Sequence, residues 1–255
     1  MKKEVKKIKR RILLVVAYDG TEYNGWQIQP EGVTIEGILN DELGRVLGEE
    51  IKVIGASRTD SGVHAEGAVC VFDTFSSIPG DKFSYALNKS LPEDIKILAS
   101  KEVSPDFHPR KTECRKTYMY RIWNDRFPLP TNSRYTTLVY TDLDVVRMRE
   151  AAVKLSGTHD FKSFCSINTQ AESTVRTIYD IDILQKGKEI DILITGNGFL
   201  YNMVRIIAGT LIEVGQGKYE PEDIESMLDG RDRSLAGQTA PAKGLTLMGY
   251  KYKEV

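Results

Sequence analysis

The first half of the chain alternates short apolar runs with two segments of helical periodicity. Residues 34–48 repeat apolar side chains on one helical face and reach Gly48, which suits a helix C-terminus. Residues 81–92 predict a short second helix that ends before Pro92, because the residue preceding a proline disfavours helical backbone. The apolar runs have the length of strands, and the predicted strands are 12–18, 51–56, 68–73 and 95–103.

The second half repeats this order of elements and adds a short helix near its end. A helix is predicted over 142–155, with Asp142 as its N-cap and Gly157 after its end. The segment QKGK, residues 185–188, is typical of a hairpin connection. The remaining predicted helices are 199–214 and 221–228, and the predicted strands are 117–123, 174–184, 189–195 and 246–252.

Each half therefore has the order β-α-β-β-α-β, which is the order of the split β-α-β or ferredoxin-like unit. We predict an α+β fold of two tandem ferredoxin-like (βαββαβ) units, residues 1–107 and 108–255. Their antiparallel sheets are expected to join into one extended sheet, with the helices packed on one face.

The composition is that of an ordinary globular protein. The chain has 255 residues, of which 41% are hydrophobic and 28% are charged. No apolar run approaches the roughly 18 to 20 residues that a membrane-spanning helix needs. The apolar run at 12–18 is followed directly by Asp19 and not by a small-residue cleavage site. We therefore expect a cytoplasmic protein.

Cysteine and histidine usage predicts neither a disulfide framework nor a metal site. No CxxC or HExxH motif occurs, and these residues are widely spaced along the chain. Free thiols and no metal are therefore predicted. The residues concerned are Cys70, Cys114, Cys165, His64, His108 and His159.

The net charge of −1 hides an uneven distribution. Residues 1–11 carry seven Lys or Arg and one Glu, so the rest of the chain carries −7. This start is interpreted as a solvated tail, with an RNA contact or a cloning remnant as alternatives. Residues 108–126 hold six Lys or Arg, two acids and interleaved aromatics. That pattern fits either a solvated strand and loop or a nucleic-acid surface.

Asp60 lies in the stretch SRTDSGVHAEG, residues 57–67. Because Ser, Asp and Gly are ordinary turn residues, one interpretation is a side chain that hydrogen-bonds its own turn. The other is a working carboxylate, since Arg58 lies on the same side of an extended segment and would favour the ionised acid. An ionised carboxylate suits a nucleophile or a base. His64 is the nearest partner and is expected to satisfy backbone groups instead.

Two residues of the second half also stand out. Tyr118 shares a strand face with Tyr120, and an aromatic flanked by cations can stack on a base. A half-exposed core tyrosine is the alternative. Arg205 lies in the largely apolar helix 199–214, where a charge is costly unless it is paired. Arg205 therefore predicts a carboxylate partner or an anionic ligand.

Six stretches together resemble the tRNA pseudouridine synthase A (TruA) family. They run in family order from residue 18 to residue 250, so the resemblance covers nearly the whole chain. The RTD-x-GVHA core is specific when the other stretches accompany it. The stretches are YDGTEYNGWQIQP, SRTDSGVHAEG, ECRKTYMYRI, STVRTIYDIDI, GFLYNMVRIIAGTLIEVGQGK and APAKGLTLMGY.

The resemblance implies an enzyme that isomerises uridine to pseudouridine at positions 38–40 of the tRNA anticodon stem-loop. It implies that Asp60 is the catalytic residue, that Tyr118 stacks on the target base and that Arg205 pairs with Asp60. Arg58 and Arg205 are expected to keep Asp60 ionised and to contact the RNA backbone. The resemblance also implies that this chain forms a homodimer with a positively charged cleft and needs no cofactor.

Four positions depart from the family pattern. Ser57 replaces the usual glycine before RTD, and Tyr250 replaces a smaller branched residue. Tyr201 and Asn202 stand where the family often has histidine or other polar residues. These differences concern local contacts and leave the acid in place.

The sequence leaves the chemical step and two other functions open. Asp60 would attack C6 of uracil, attack C1′ of the ribose, or remove a ribose proton. A non-catalytic RNA-binding module, in which Asp60 is dispensable, is the main alternative. A hydrolase would want a second carboxylate or a histidine partner. A uridine elsewhere in tRNA, or in another structured RNA, is the alternative substrate.

Overall fold

The computed structural model describes residues 8–167, 169 and 171–253. These residues form two compact units, of which the first contains 8–113, 252 and 253 and the second contains 114–251. Each unit combines a largely antiparallel sheet with helices. The predicted α+β class is therefore confirmed.

The first unit has four strands and two α-helices. They are β1 (Arg10–Tyr18), α1 (Ile35–Leu47), β2 (Ile54–Gly55), β3 (His64–Thr74), α2 (Phe83–Leu87) and β4 (Ile95–Val103). The order across the sheet is β4-β1-β3-β2, and every neighbouring pair is antiparallel. The central strand β1 is mostly buried, as its apolar sequence predicts.

Helix α1 is explained by its two ends and its buried face. The Thr34 hydroxyl accepts the N–H of Gly37 at 3.3 Å, which satisfies one of the first backbone donors. Gly48 has a φ of 64° and donates its N–H to the carbonyl of Gly44 at 2.9 Å. The buried side chains of this helix are Ile35, Leu39 and Leu43.

The second unit has six strands and three α-helices. They are β5 (Cys114–Asn124), β6 (Thr137–Val139), α3 (Val145–Leu155), β7 (Gly157–Asp160), β8 (Val175–Lys186), β9 (Glu189–Gly196), α4 (Met203–Gly215), α5 (Asp223–Gly230) and β10 (Leu245–Tyr252). The order across the sheet is β10-β5-β9-β8-β7, with β6 parallel to β5. The predicted hairpin between β8 and β9 is confirmed, and its Gly187 has a φ of 61°.

The start of α3 differs from the prediction. The N-cap is Asp144 and not Asp142, because the Asp144 carboxylate accepts the N–H groups of Val146 and Arg147 at 3.0 and 3.1 Å. Both acids precede the same apolar pattern, so periodicity alone did not separate them.

Most other element boundaries also differ from the prediction by one or more residues. The predicted strand 51–56 contracts to β2, and α4 begins four residues later than predicted. The short strands β6 and β7 were not predicted, because three or four residues carry too little alternation to be recognised. Strand β4 has the predicted bounds.

The lysine-rich start of the chain is not wholly a tail. Arg10 and Arg11 belong to β1, and the Arg11 guanidinium donates to both carboxylate oxygens of Asp73 at 2.7 and 2.9 Å. Residues 1–7 lie outside the described residues. The tail prediction is therefore wrong for the last two residues of this segment.

Two further observations bear on the composition-based predictions. Cys70, Cys114 and Cys165 are free thiols, and burial raises the pKa of Cys70 far above its usual range. In the part of the chain that the structure describes, no helix has both the length and the apolar character needed to cross a bilayer.

Candidate active site

The segment that carries Asp60 is a tight turn between β2 and β3. The Asp60 carbonyl accepts the N–H of Val63 at 3.2 Å, and Gly62 has a φ of 76°. A positive φ at the third of four residues is the geometry for which a β-turn requires glycine. The Asp60 side chain is half-buried. Turn formation thus accounts for Gly62, whereas the carboxylate still has to be explained by its chemistry.

The loop after β1 packs on this turn so closely that two glycines have no room for a side chain. A Cβ on Gly25 would lie 2.5 Å from the carbonyl oxygen of Thr59, and a Cβ on Gly20 would lie 2.0 Å from that of Val63. The backbone N–H of Trp26 donates to the same Thr59 carbonyl at 3.1 Å. The glycines of YDGTEYNGW are therefore required by contact with the Asp60 turn.

Side-chain hydrogen bonds also hold the turn in place. The hydroxyls of Tyr18 and Thr59 are 2.8 Å apart, and both residues are buried. The Ser61 hydroxyl donates to the carbonyl of Tyr23 at 3.1 Å. These contacts fix the backbone on both sides of Asp60, so its side chain extends from a rigid backbone.

Arg58 and Asp60 lie on the outer side of this segment. Thr59 between them points inward to Tyr18, whereas Arg58 is exposed and Asp60 is half-buried. An exposed guanidinium has the hydration and reach to meet a phosphate.

His64 serves the loop after β1. Its Nδ1 lies 3.1 Å from the Asp19 carboxylate and 3.1 Å from the backbone nitrogen of Gly20. A single Nδ1 can donate to the former or accept from the latter, but it cannot do both at once. In either state His64 ties β3 to this loop, in line with the predicted contact to backbone groups.

Tyr118 lies on β5 opposite Ile194 of β9 and is 7% exposed. The ring of Phe199 stands at 86° to the Tyr118 ring, with 5.2 Å between the two centroids. Phe199 lies in the connection from β9 to α4. This edge contact supports the tyrosine ring. Phe199 was not among the predicted site residues.

Tyr120 lies on the same face of β5 but is fully buried. Its hydroxyl lies 2.6 Å from the Thr137 hydroxyl and donates to the Pro241 carbonyl at 2.9 Å. Burial raises the pKa of Tyr120 well above its usual range. Tyr120 is therefore a core tyrosine, and the two aromatics of this strand have different surroundings.

Arg205 lies in the first turn of α4 and is half-buried. Its Nε donates to the Ala240 carbonyl at 2.8 Å, and its Nη1 donates to Asn202 Oδ1 at 2.9 Å. The Ala240 N–H returns a hydrogen bond to the Arg205 carbonyl at 3.1 Å. Two of the hydrogen-bond acceptors of the Arg205 guanidinium are therefore neutral oxygens, whereas the sequence predicted a carboxylate or an anionic ligand.

The segment that supplies Ala240 is locked onto α4. The Gly237 N–H donates to the Thr210 hydroxyl at 2.9 Å. A Cβ on Gly209 would lie 1.8 Å from the carbonyl oxygen of Gln238, so only glycine permits this approach. The small residues of α4 therefore position the segment that orients Arg205.

The basic stretch 108–126 divides into two kinds of contact. Arg110 donates to the Gly55 carbonyl at 2.7 Å, and Arg121 pairs with Asp191 at 2.9 Å. The Arg115 guanidinium instead stands 4.4 Å from the ring centroid of Tyr179, and Arg115 is exposed. Part of the stretch is therefore structural, and part presents a cation beside an aromatic ring.

The chain matches known proteins along most of its length. A family described as tRNA pseudouridine synthase matches residues 14–110 and 151–253. The first matched stretch contains Arg58 and Asp60, the second contains Arg205, and Tyr118 lies between the two. In the structure, Arg58 and Asp60 belong to the first unit, and Tyr118 and Arg205 belong to the second.

Relatives of similar length were also found. The tRNA pseudouridine synthase A of Brevibacillus brevis is 48% identical over 243 residues, which are 95% of this chain and 100% of that protein. Proteins of the same name from a Thermoanaerobacter species and from Ruminiclostridium cellulolyticum are 45% and 47% identical, again over 95% of this chain and 100% of theirs.

Proposed function

Since the chain belongs to the tRNA pseudouridine synthase family, we propose that it isomerises uridine to pseudouridine at positions 38–40 of the tRNA anticodon stem-loop. The observation that carries this proposal is the full-length similarity to proteins of that name. The reaction breaks the N1–C1′ bond and forms a C5–C1′ bond. The C5 proton is lost and N1 gains a proton, so the reaction itself consumes no co-reactant.

Asp60 is the proposed catalytic residue. Its turn is held by Gly25, Thr59 and Ser61 through close packing and hydrogen bonds. Such a support keeps the carboxylate in one place while the detached uracil rotates. Attack at C6, attack at C1′ and removal of a ribose proton all remain compatible with this position.

Arg58 and Arg205 receive different roles. Arg58 is exposed, which supports a contact with the RNA backbone. Arg205 is half-buried and doubly hydrogen-bonded, which supports a fixed cation that keeps Asp60 ionised. A fixed charge stabilises an anion more effectively than a mobile one, because it needs no reorganisation during the reaction.

Tyr118 is the proposed stacking partner of the target base. Its ring makes an edge contact with the ring of Phe199, and its strand also carries the exposed Arg115. A base inside a stem must be flipped out before it can react, at a cost of a few kcal/mol. Stacking on an aromatic ring returns about 1–3 kcal/mol of that cost.

The assembly belongs to the proposal as well. The two units contain the strand orders β4-β1-β3-β2 and β10-β5-β9-β8. When the four strands of each unit are numbered in chain order, both arrangements read fourth, first, third, second, which supports two ferredoxin-like units. We further propose a homodimer that acts in the cytoplasm, where it meets tRNA. Light scattering during gel filtration measures the mass of the assembly, and the mass of a monomer would refute the homodimer.

The proposal is tested with purified protein and unmodified tRNA transcripts, without added metal or nucleotide. Pseudouridine is mapped base by base in transcripts that carry uridine at 38, 39 and 40. Matched transcripts with cytidine at these positions are the control. Product at 38–40 that is absent from the control supports the assignment. Tight tRNA binding without any product would favour the RNA-binding module, and product elsewhere would change the substrate site.

A further inference from the structure

Asn202 holds an uncommon backbone conformation directly before α4. Its φ is 60° and its ψ is 7°, in the left-handed region. Among the described residues other than glycine, only Asn202 and Arg231 have a positive φ. Glycine adopts this conformation without strain, so a larger residue here calls for a reason.

The side chain of Asn202 does not cap the helix that follows it. Its Oδ1 accepts a hydrogen bond from Arg205 Nη1 at 2.9 Å, and its Nδ2 donates to the Ser166 hydroxyl at 2.8 Å. A guanidinium can only donate, so the amide oxygen must face Arg205 and the amide nitrogen must face Ser166. Ser166 is itself anchored, because its N–H donates to the Tyr201 carbonyl at 3.1 Å.

The Asn202 amide and the Ala240 carbonyl both accept hydrogen bonds from the Arg205 guanidinium. Ala240 accepts from Nε and Asn202 accepts from Nη1, on two different nitrogens of the planar group. Two such contacts fix the plane and therefore the direction of the remaining N–H groups. A neutral amide oxygen does this without cancelling the positive charge.

We propose that Asn202 is a positioning residue for the isomerisation, acting by orienting the guanidinium of Arg205. The inference rests on the proposed function, which gives Arg205 its role beside Asp60. It explains why the left-handed position carries asparagine, which tolerates this backbone better than most residues and also supplies the acceptor. Binding of the tRNA body does not depend on this contact.

Asn202→Gly tests the inference, because glycine keeps the backbone and removes only the side chain. The single-turnover rate constant at saturating tRNA is expected to fall about tenfold, which is the scale of a lost hydrogen bond to a charged group. The dissociation constant for tRNA should change by less than about twofold, and the melting temperature should not fall. Arg231→Gly is the matched control, since it relieves the other left-handed residue, and its rate should equal that of the wild type.

A double-mutant cycle shows whether Asn202 acts through Arg205. In an Arg205→Ala background, Asn202→Gly should slow the reaction no further, because the group that it orients is gone. All four proteins are assayed at a temperature at which each is folded. A full rate for Asn202→Gly, or losses that add in the double variant, would overturn the inference. A full rate for Arg205→Ala would refute the proposed role of Arg205 itself and the inference with it, so the two failures are distinguishable.

Discussion

The hydroxyl groups of Tyr18 and Thr59 lie 2.8 Å apart, and this buried contact joins the end of β1 to the turn that carries Asp60. The two residues are 41 positions apart in the chain. The rigidity of the candidate catalytic turn therefore depends on the central strand of the first unit.

Removing this hydroxyl contact should lower stability. In Tyr18→Phe the buried Thr59 hydroxyl loses its partner at 2.8 Å, which costs about 1–3 kcal/mol of unfolding free energy. Urea denaturation at neutral pH measures the loss. Tyr85→Phe is the control, because Tyr85 is 72% exposed and should be neutral. Equal midpoints for Tyr18→Phe and wild type would contradict this account of the turn.

Gly25→Ala should disturb the Asp60 turn more than a positive φ alone explains. Gly25 has a φ of 84°, and its Cβ would lie 2.5 Å from the Thr59 carbonyl oxygen. Crowding of this kind typically costs about 1–3 kcal/mol beyond the backbone strain. Gly48→Ala is the matched control, since Gly48 has a φ of 64° and no atom within 4 Å of its Cβ. Equal destabilisation of the two variants in urea would show that crowding plays no part.

Substitution of Tyr118 should separate the ring from its hydroxyl. Tyr118→Leu retains apolar volume but removes the aromatic face, so the efficiency of pseudouridine formation should fall about 10- to 100-fold. Tyr118→Phe keeps the ring and should retain stacking. The readout is kcat/KM on a tRNA transcript, with thermal unfolding to confirm that both variants are folded. Similar values for the leucine and phenylalanine variants would argue against stacking.

The pair of Arg11 and Asp73 should make stability depend on acid pH. The Arg11 hydrogen bonds lower the pKa of Asp73 in the folded protein below its ordinary value of 3.8. The contribution is therefore present above that value and is lost as pH falls through the folded pKa. Asp73→Asn should unfold at a lower temperature than wild type at pH 7, and the difference should shrink near pH 3. A difference that is constant with pH would contradict this assignment.

Local pattern predicted the elements better than the contacts between them. Strand β4 has its predicted bounds, and Gly48 ends α1, because apolar periodicity and a left-handed stop are local signals. The choice of Asp144 over Asp142 depends on which carboxylate reaches free backbone N–H groups, and that is set by the packed helix.

The candidate site shows the same division. Asp60 and Arg58 stood out because they lie two residues apart in one short segment, and the family resemblance gave Asp60 its role. Phe199 was not predicted, because only its contact with the ring of Tyr118, distant in sequence, identifies it. Ala240 was not predicted, because it acts through its backbone carbonyl. A carbonyl that holds a guanidinium has no signature in the side-chain sequence.

The central claim is that the Asp60 carboxylate carries the isomerisation. The most direct measurement compares wild type and Asp60→Asn for pseudouridine formation in a tRNA transcript under single-turnover conditions, with tRNA binding measured in parallel. Asparagine preserves the size of the side chain and removes the charge, so the account predicts no detectable pseudouridine together with retained tRNA binding. Pseudouridine formed at the wild-type rate by Asp60→Asn would contradict it.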